Sequence, residues 1–369
     1  MLARYQSEDI PAEQKVNIVS IMLEAYDDFS LLPGVNPAPD VYAPLHELQK
    51  ESYHGRLLTN IFAGGTVQTE WAFLTGYARL GSFRSNTNSF PRYFASQGYT
   101  VTGAHPSTEW FYNRSNINRY LGFEDYKFLE NYFQPFTQEQ VAYDDVFFPQ
   151  LRALYEQRDS TKPYFNFSVS YQNHGPYWKG GTGNKQYLSR DGLSKESYFI
   201  LNNYLSGIAD TTARFAALID SFRKDDAPVV VVLFGDHKPW MGDGNSVYKE
   251  LGFNLDTTTP EGFQNYYSTP YLIWANDAAK QQLGRDLTGE GPTISPCFLM
   301  DVLFEQCGWQ GNAFLQLERE LREAVPVVHT SGRFSENGTL TDTLSEQAAA
   351  LYHDFDAVQY YLRKNFSPN

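Results

Sequence analysis

The chain has 369 residues and carries 29 lysines and arginines against 43 aspartates and glutamates, which gives a formal net charge of −14. A surface this acidic repels polyanions and no basic run offsets it, so nucleic acid binding is not expected. The sequence contains no run of about eighteen apolar residues and no basic leader followed by an apolar stretch. We therefore expect neither a membrane span nor a signal peptide within it.

Four segments rich in β-forming residues end beside side chains that can bind a metal or a phosphate. In open α/β sheets, ligands bind at the carboxyl ends of the strands, so side chains placed there are candidate site residues. The segments and the residues that follow them are 16–23 with Glu24, 99–104 with His105, 163–170 with His174, and 229–234 with Asp236 and His237.

The last of these segments carries the strongest signal. Residues 229–234 form an unbroken apolar run, which is typical of a strand buried on both faces of a parallel sheet. The run leads through Gly235 to Asp236 and His237, two polar side chains that are costly to bury without a partner. This strand end therefore looks like half of a metal site.

Helical periodicity separates the predicted strands. Residues 201–222 and 296–307 have apolar side chains at helical spacing, and 269–275 is predicted as a further strand with no reactive side chain beyond it. Alternating strands and helices predict an α/β fold with a central, mostly parallel sheet and helices on both faces. Near the end, Asn337-Gly338 is a strong hairpin signal, which indicates a small antiparallel appendage.

These patterns divide the chain into three predicted parts. We expect 1–14 to be a linker or the remnant of one, 15–330 to be a single α/β domain, and 331–369 to be a C-terminal hairpin and helix.

Cys297 and Cys307 lie in one predicted helix, so no disulfide is expected between them. Three acidic pairs are assigned to solvated loops. They are Asp27-Asp28, Asp144-Asp145 and Asp225-Asp226.

The segment 63–74 differs from the strands. Its paired glycines, Gly64 and Gly65, allow a tight turn, and the residues after them have helical spacing, so Thr66 is expected at or near a helix N-terminus. Such a terminus attracts a tetrahedral anion such as phosphate or sulfate, and a hydroxyl there is placed to attack it. Threonine is a weak nucleophile without a base or a metal, and the residues at the strand ends are of the types that hold a divalent cation.

Each of these residues also has an ordinary structural explanation. Thr66 followed by Glu70 resembles a helix N-cap arrangement, and a carboxylate after a strand, such as Glu24, is commonly a turn residue. His105 and His174 fit hydrogen-bonded histidines of the core or of loops. Four such groups at one sheet edge nevertheless favour a site over four separate coincidences.

Five motifs occur in an order that resembles a known family. They are Leu23-Glu24, Gly64-Gly65-Thr66 with Glu70, His105 ahead of Tyr112-Asn113-Arg114, Asn173-His174-Gly175-Pro176, and Gly235-Asp236-His237. Over roughly residues 15–330 the chain is similar to the extracellular catalytic domain of lipoteichoic acid synthases. Those enzymes are phosphoglycerol transferases of the alkaline phosphatase and sulfatase superfamily, so the resemblance implies a sulfatase-like fold.

The resemblance implies a role for each matching residue. Glu24, Asp236 and His237 match positions that bind a single Mn²⁺, with Mg²⁺ as the alternative. Thr66 matches the metal-bound nucleophile. Carboxylates and an imidazole suit Mn²⁺, and an arginine can grip phosphate oxygens with two donors. The residues implied to surround the glycerophosphate are His105, Tyr112, Arg114 and His174, of which His174 is also expected to move a proton.

The resemblance further implies an activity and a location. Thr66 would take glycerophosphate from phosphatidylglycerol, and the group would then pass to a hydroxyl of a glycan or of a growing polyglycerophosphate. The parent protein would be anchored in the cell membrane by N-terminal helices, with this domain facing outward in the cell envelope. A soluble, truncated domain of such an enzyme is the expected form of this chain.

Two departures from the family pattern leave the substrate and the acceptor open. Tyr112 stands where lipoteichoic acid synthases have tryptophan, and Ser107 stands where they have aspartate.

A formylglycine sulfatase would need a Cys or Ser in a C/S-x-P-x-R signature, which residues 66–70 do not provide. A hydrolase that passes the group to water and an inactive binding module stay open as alternatives. Without its motif, Arg114 would be taken for a surface ion-pair residue.

Overall fold

The computed structural model describes residues 1–366 and contains two sheets. The strands are β1 (Asn17–Leu23), β2 (Tyr53–Leu58), β3 (Thr100–Ala104), β4 (Asp125–Lys127), β5 (Tyr164–Val169), β6 (Val229–Gly235), β7 (Ser268–Ala275), β8 (Gly289–Glu290), β9 (Val327–Val328), β10 (Phe334–Glu336) and β11 (Thr339–Thr341). The α-helices are α1 (Ala43–Gln49), α2 (Val67–Thr75), α3 (Phe90–Ser96), α4 (Arg114–Leu121), α5 (Asp144–Glu156), α6 (Lys195–Arg223), α7 (Ser246–Glu250), α8 (Pro260–Tyr267), α9 (Asp277–Leu283), α10 (Leu299–Cys307), α11 (Ala313–Ala324) and α12 (Glu346–Lys364).

The central sheet has eight strands in the order β4-β3-β5-β1-β6-β7-β2-β8. Neighbouring strands are parallel, except that β7 runs antiparallel to both β6 and β2. The four strands that the sequence associates with reactive side chains are neighbours in this order, as β3-β5-β1-β6. The predicted α/β fold with a mostly parallel sheet is therefore confirmed, and the predicted site residues share one edge.

The apolar run of β6 is unbroken because both faces of the sheet are covered. Val230, Val232 and Phe234 pack into a core with α2, α10, α11 and α12. Alternate residues of the same strand face the opposite core with α5 and α6. Those residues are Val229, Val231 and Leu233. Side chains of successive strand residues point to opposite faces, so a strand between two helical layers needs apolar residues at every position.

The predicted hairpin is present at the C-terminal end. Asn337 and Gly338 have φ angles of 50° and 74°, the left-handed conformations that a two-residue hairpin turn needs. They join β10 to β11, and β9 completes a small antiparallel sheet. Helix α12 lies against the main core, where Phe355 stacks on Phe314 with ring centroids 5.9 Å apart.

The N-terminal segment is packed against the rest of the domain. Ile10 is buried, its N–H donates to Gln97, and the N–H of Glu8 donates to the carbonyl of Gly311. The division into a linker, a catalytic domain and a C-terminal part stays a prediction.

Cys297 and Cys307 are buried and free, as expected. Within residues 1–366, no helix combines the length and the apolar character that crossing a bilayer requires.

Candidate active site

The register between β1 and β6 places two carboxylates side by side. Leu23 pairs with Gly235, so Glu24 and Asp236 are the next residues on neighbouring strands. Gly235 has no room for a side chain, because a Cβ there would collide with the carbonyl oxygen of Tyr26. Oδ1 of Asp236 accepts the N–H of the loop residue after Glu24 at 2.8 Å. Asp236 thereby ties the two strand ends together.

The second carboxylate oxygen of Asp236 faces His237 and Glu24. Nε2 of His237 lies 3.2 Å from Oδ2 of Asp236 and 3.6 Å from Oε1 of Glu24. Nδ1 of the same ring contacts the carbonyl oxygen of Lys238 at 3.1 Å, so Nδ1 carries the proton and Nε2 offers a lone pair. The N–H of Gly64 also donates to Nε2, at 3.0 Å. One nitrogen and two carboxylate oxygens thus converge within 4.8 Å of one another.

The electrostatics of this group fit a divalent cation. Oδ2 of Asp236 is buried and has no hydrogen-bond partner. Burial, and next the Asp236 carboxylate, hold the pKa of Glu24 well above its usual range. Two buried carboxylates at this distance repel each other unless a positive charge lies between them. Carboxylate oxygens with one imidazole are a donor set for Mn²⁺, Zn²⁺ or Mg²⁺.

Thr66 lies beside this group at the start of α2. The three residues before it, Ala63, Gly64 and Gly65, have φ angles of 55°, 116° and 75°. Successive left-handed residues explain the paired glycines and turn the chain sharply into the helix. The Thr66 hydroxyl makes no cap bond to the helix and instead contacts Oε2 of Glu24 at 3.4 Å. The helix-cap explanation of this hydroxyl is therefore wrong.

Arg114 and Glu70 form an ion pair that is fully buried. Nε and Nη2 of Arg114 donate to Oε2 of Glu70 at 3.1 and 2.8 Å, and the side chains are 1% and 0% exposed. The interpretation of Arg114 as a surface residue is wrong. Nη1 of Arg114 and Oε1 of Glu70 are buried without partners. Glu70, one helical turn after Thr66, was predicted only as a cap residue, and nothing in the local sequence indicates its partner.

His105 and Tyr112 lie on the loop between β3 and α4. Nδ1 of His105 donates to the carbonyl of Val169 at 3.1 Å, and Nε2 is buried without a partner. Burial, and next the charge of Arg114, hold the pKa of His105 well below its usual range, so its ring is neutral at pH 7. The Tyr112 hydroxyl accepts the N–H of Gly65 at 3.3 Å, and the ring lies under the Arg114 guanidinium.

His174 lies on the loop after β5 and is exposed. Its Nδ1 donates to the carbonyl of Gly175 at 2.7 Å, which leaves Nε2 as the free, basic nitrogen. The ring stacks on Tyr171 with centroids 5.1 Å apart. His174 lines a cleft of about 220 Å³ together with Glu24 and His237.

An unpredicted ion pair fixes the loops that carry Glu24, Asp236 and His237, the candidate metal-binding group. Lys238 and Asp27 are both buried and form an ion pair, and Arg56 donates to the same carboxylate at 2.8 Å. Burial opposes ionisation of Asp27, but these two cations hold its pKa below the usual value. Asp28 is buried as well and contacts His46. The prediction that Asp27 and Asp28 lie in a solvated loop is wrong.

Asp144 supports the loop that carries His174. The Thr211 hydroxyl donates to Oδ2 of Asp144 at 2.5 Å and accepts from the amide of Asn173 at 2.9 Å. Asp144 is fully buried, and burial raises its pKa to about 7. The assignment of this acidic pair to a solvated loop is wrong, because Asp144 and Asp145 are the first residues of α5, although Asp145 is exposed.

Comparison with known proteins identifies the family of this chain and two relatives. Residues 17–301 match the sulfatase family model. A putative cyclic β-1,2-glucan modification protein of Rhizobium meliloti is 27% identical over 315 residues, which are 80% of this chain and 46% of that protein. The capsular polysaccharide biosynthesis protein RkpI of the same organism is 27% identical over 205 residues, 52% of this chain and 36% of that protein. The chain thus spans less than half the length of these relatives.

Solved structures share the fold at low sequence identity. Streptococcus pyogenes phosphoglycerol transferase GacH, in complex with sn-glycerol-1-phosphate, superposes with a TM-score of 0.74 at 17% identity over 98% of this chain and 88% of that one. The lipoteichoic acid synthase LtaP from Listeria monocytogenes gives 0.65 at 15% identity, over 98% and 96%. The periplasmic domain of EcEptC from Escherichia coli gives 0.52 at 16% identity, over 82% and 84%. With its family model matched over most of its length, the chain belongs to the sulfatase family.

Proposed function

We propose that this chain is the catalytic domain of a metal-dependent phosphoglycerol transferase. It moves glycerophosphate from phosphatidylglycerol, or a related phosphodiester lipid, through a threonine-linked intermediate to a glycan or polyglycerophosphate hydroxyl. The observation that carries the proposal is the convergence of Glu24, Asp236 and His237 within 4.8 Å, with the Thr66 hydroxyl in contact with Glu24. The resemblance of the motifs to lipoteichoic acid synthases gives the substrate class.

Glu24, Asp236, His237 and Thr66 would hold one divalent cation, Mn²⁺ in the first place and Mg²⁺ as the alternative. When bound, the cation lowers the pKa of a hydroxyl and stabilises negative charge on phosphoryl oxygens. Thr66 is the first flanking residue of α2, and the positive end of the helix dipole favours an anion beside it. Arg114 supplies a fixed positive charge, and its free Nη1 is available to a phosphoryl oxygen.

In the first step, the Oγ–P bond to Thr66 forms and the P–O bond to the lipid breaks. The proton that Thr66 loses is balanced by the proton that the departing diacylglycerol oxygen takes up. The neutral ring of His105 presents its Nε2 as an acceptor, so it suits a hydroxyl of the glycerol rather than a phosphoryl oxygen. Tyr112 holds Gly65, and with it the turn that aims Thr66.

In the second step, an acceptor hydroxyl forms a new O–P bond and the bond to Thr66 Oγ breaks. Nε2 of His174 takes the acceptor's proton, and Thr66 regains one. The exposure of His174 supports this role, because an incoming acceptor reaches its free nitrogen from solvent. A hydrolase would use water in place of the acceptor, which makes it the second candidate function.

The names of the relatives support a glycan acceptor and a cell-envelope setting. One is a putative cyclic β-1,2-glucan modification protein, and another is a capsular polysaccharide biosynthesis protein. Domains with the same fold are described as periplasmic, and one comes from an integral membrane protein. We propose that the parent of this chain is membrane-anchored and holds the domain outside the cytoplasm.

Intact-mass spectrometry of the protein with Mn²⁺ and a phosphatidylglycerol analogue tests the chemistry. We expect a glycerophosphate adduct on Thr66, a slower adduct on the Thr66→Ser variant, and none on Thr66→Ala. Labelling by a different phosphodiester but not by this lipid would refute phosphatidylglycerol as the substrate and would leave the threonine-linked mechanism standing. Product analysis with and without a glycan separates transfer from hydrolysis, and release of free glycerophosphate under both conditions would favour the hydrolase.

A further inference from the structure

A cleft opens from the metal-binding group between the loops that follow β5 and β6. Its volume is about 220 Å³, and Glu24, His174 and His237 lie along it. Its other side chains are mainly apolar, namely Ala25, Ala63, Pro176, Tyr177, Pro239 and Trp240. Of the four residues implied to surround the glycerophosphate, His174 lines this cleft, whereas His105, Tyr112 and Arg114 do not. The cleft therefore shares His174 with the donor side, and its apolar side chains have no role in the steps described above.

Trp240 is the largest side chain of this cleft and is 43% exposed. The two residues before it are held in place: Lys238 makes the buried ion pair with Asp27, and the Tyr248 hydroxyl donates to the carbonyl of Pro239 at 2.9 Å. A held backbone fixes the point from which the indole projects, so less ordering entropy is lost when a ligand binds. Such a ring offers a flat apolar surface at a defined place beside the reacting groups.

The opposite wall is fixed as well. The Tyr177 hydroxyl donates to the carbonyl of Asn173 at 2.8 Å, and its ring packs edge-on against Tyr204. The polar side chains that line the cleft are those of Glu24, His237 and His174, and His174 has its free Nε2. A ligand that fits this arrangement has an apolar face for the wall and a hydroxyl directed inward.

A neutral sugar ring has this chemistry, since its axial C–H groups form an apolar face and its hydroxyls point outward from the edge. Charge disfavours the other acceptor considered above, polyglycerophosphate. No lysine or arginine is among the described residues that line the cleft, and the nearby Lys179 is paired with Glu196 and Asp243. The net charge of −14 also opposes the binding of a polyanion.

We propose that this cleft is the acceptor subsite and that it binds a neutral sugar ring stacked on Trp240, with one hydroxyl directed to Nε2 of His174. The proposal rests on the proposed function and narrows its acceptor from a glycan or polyglycerophosphate to a neutral glycan. Trp240 is then a specificity-determining residue. In the second step, the stacked ring loses its hydroxyl proton to His174 and gains the glycerophosphate.

Binding without turnover provides the first test. Isothermal titration of a neutral β-glucan oligosaccharide into Thr66→Ala protein measures the affinity of the cleft for the sugar, and it does so even if no phosphodiester reacts. We expect Trp240→Ala in that background to weaken binding at least tenfold, and Trp240→Phe to weaken it less than about threefold, since aromatic stacking typically changes affinity by these amounts. Trp178→Ala is the matched control. Trp178 is also an exposed tryptophan, at 63%, but it does not line the cleft.

Turnover with a soluble glycerophosphate ester, Mn²⁺ and the same oligosaccharide provides the second test. Trp240→Ala should raise the KM for the oligosaccharide by a similar factor and lower the ratio of transfer to hydrolysis, whereas Trp178→Ala should change neither. Melting curves verify that both variants are folded.

Three results would overturn the proposal. They are an unchanged oligosaccharide affinity in Trp240→Ala, tighter binding of polyglycerophosphate than of the glucan, and equal losses of phosphatidylglycerol-vesicle binding in both tryptophan variants with no change toward the glucan. The last result would make this surface a membrane contact. Failure of the proposed function is recognised separately, by the absence of a Thr66 adduct in the wild-type protein.

Discussion

Replacing Glu70 by glutamine tests whether the buried pair with Arg114 holds the donor side of the site. The side chains are 1% and 0% exposed, and two N–H groups of Arg114 donate to one carboxylate oxygen. Glutamine keeps the shape and one acceptor oxygen but removes the charge. Hydrogen bonds to charged groups contribute about 1 kcal/mol more than neutral ones, and two are affected. The guanidinium also loses, in a buried place, the carboxylate to which it is hydrogen-bonded.

We therefore expect Glu70→Gln to lower the free energy of unfolding by about 2 to 4 kcal/mol. Urea denaturation followed by circular dichroism measures this. The matched control is Glu47→Gln, which breaks the exposed Lys50 pair, with side chains 68% and 70% exposed. It should change stability by less than about 1 kcal/mol, because solvent screens exposed pairs.

A double-mutant cycle with Arg114→Met isolates the interaction. If the pair acts as described, Glu70→Gln should cost much less in the Arg114→Met background, with a coupling energy of about 2 kcal/mol. Additive effects, or a Glu70→Gln cost no larger than that of Glu47→Gln, would refute the reasoning. The Glu70→Gln variant should also raise the KM for the phosphodiester more than it lowers kcat, because Arg114 loses its fixed orientation.

Three further predictions concern stability and metal binding. Burial raises the Asp144 pKa from 3.8 to about 7, so the folded state retains a proton that the unfolded state releases, and this group's stabilisation should decline as pH rises from about 4 to 7. Urea denaturation at pH 5 and 8 should show a smaller pH dependence for Asp144→Asn, by at most about 3 kcal/mol, and an unchanged dependence would contradict the burial argument. Mn²⁺ at 100 times its Kd should raise the wild-type Tm by about 3 °C. Asp236→Asn should abolish that shift yet raise the metal-free Tm, because it removes one of two repelling carboxylates; a persistent shift would place the metal elsewhere. Gly235→Ala should lower the stability by more than about 2 kcal/mol because its Cβ meets a backbone carbonyl, whereas Gly183→Ala, with open space around it, should be nearly neutral in the same urea assay.

The local sequence was sufficient for the strands and turns that the site is built on. The six apolar residues of β6 predict a buried parallel strand because helical layers cover both of its faces. Asn337-Gly338 predicts its hairpin because few other residues adopt two successive left-handed conformations. Strand ends predict the location of Glu24, Asp236 and His237, since carboxyl ends of parallel strands share one edge. These features depend on residues close together in the sequence.

Only the tertiary structure decided which distant side chains meet. Glu70 pairs with Arg114 across 44 positions and Asp27 with Lys238 across 211, and no local pattern marks either carboxylate as buried. The same acidic-pair pattern is buried at Asp144 and exposed at its neighbour. Periodicity fixes which face of an element is apolar, but the environment of a charged side chain is set by whichever partner the crossovers bring to it. Sequence thus determined the edge where the site lies, and the packing of distant segments determined its electrostatics.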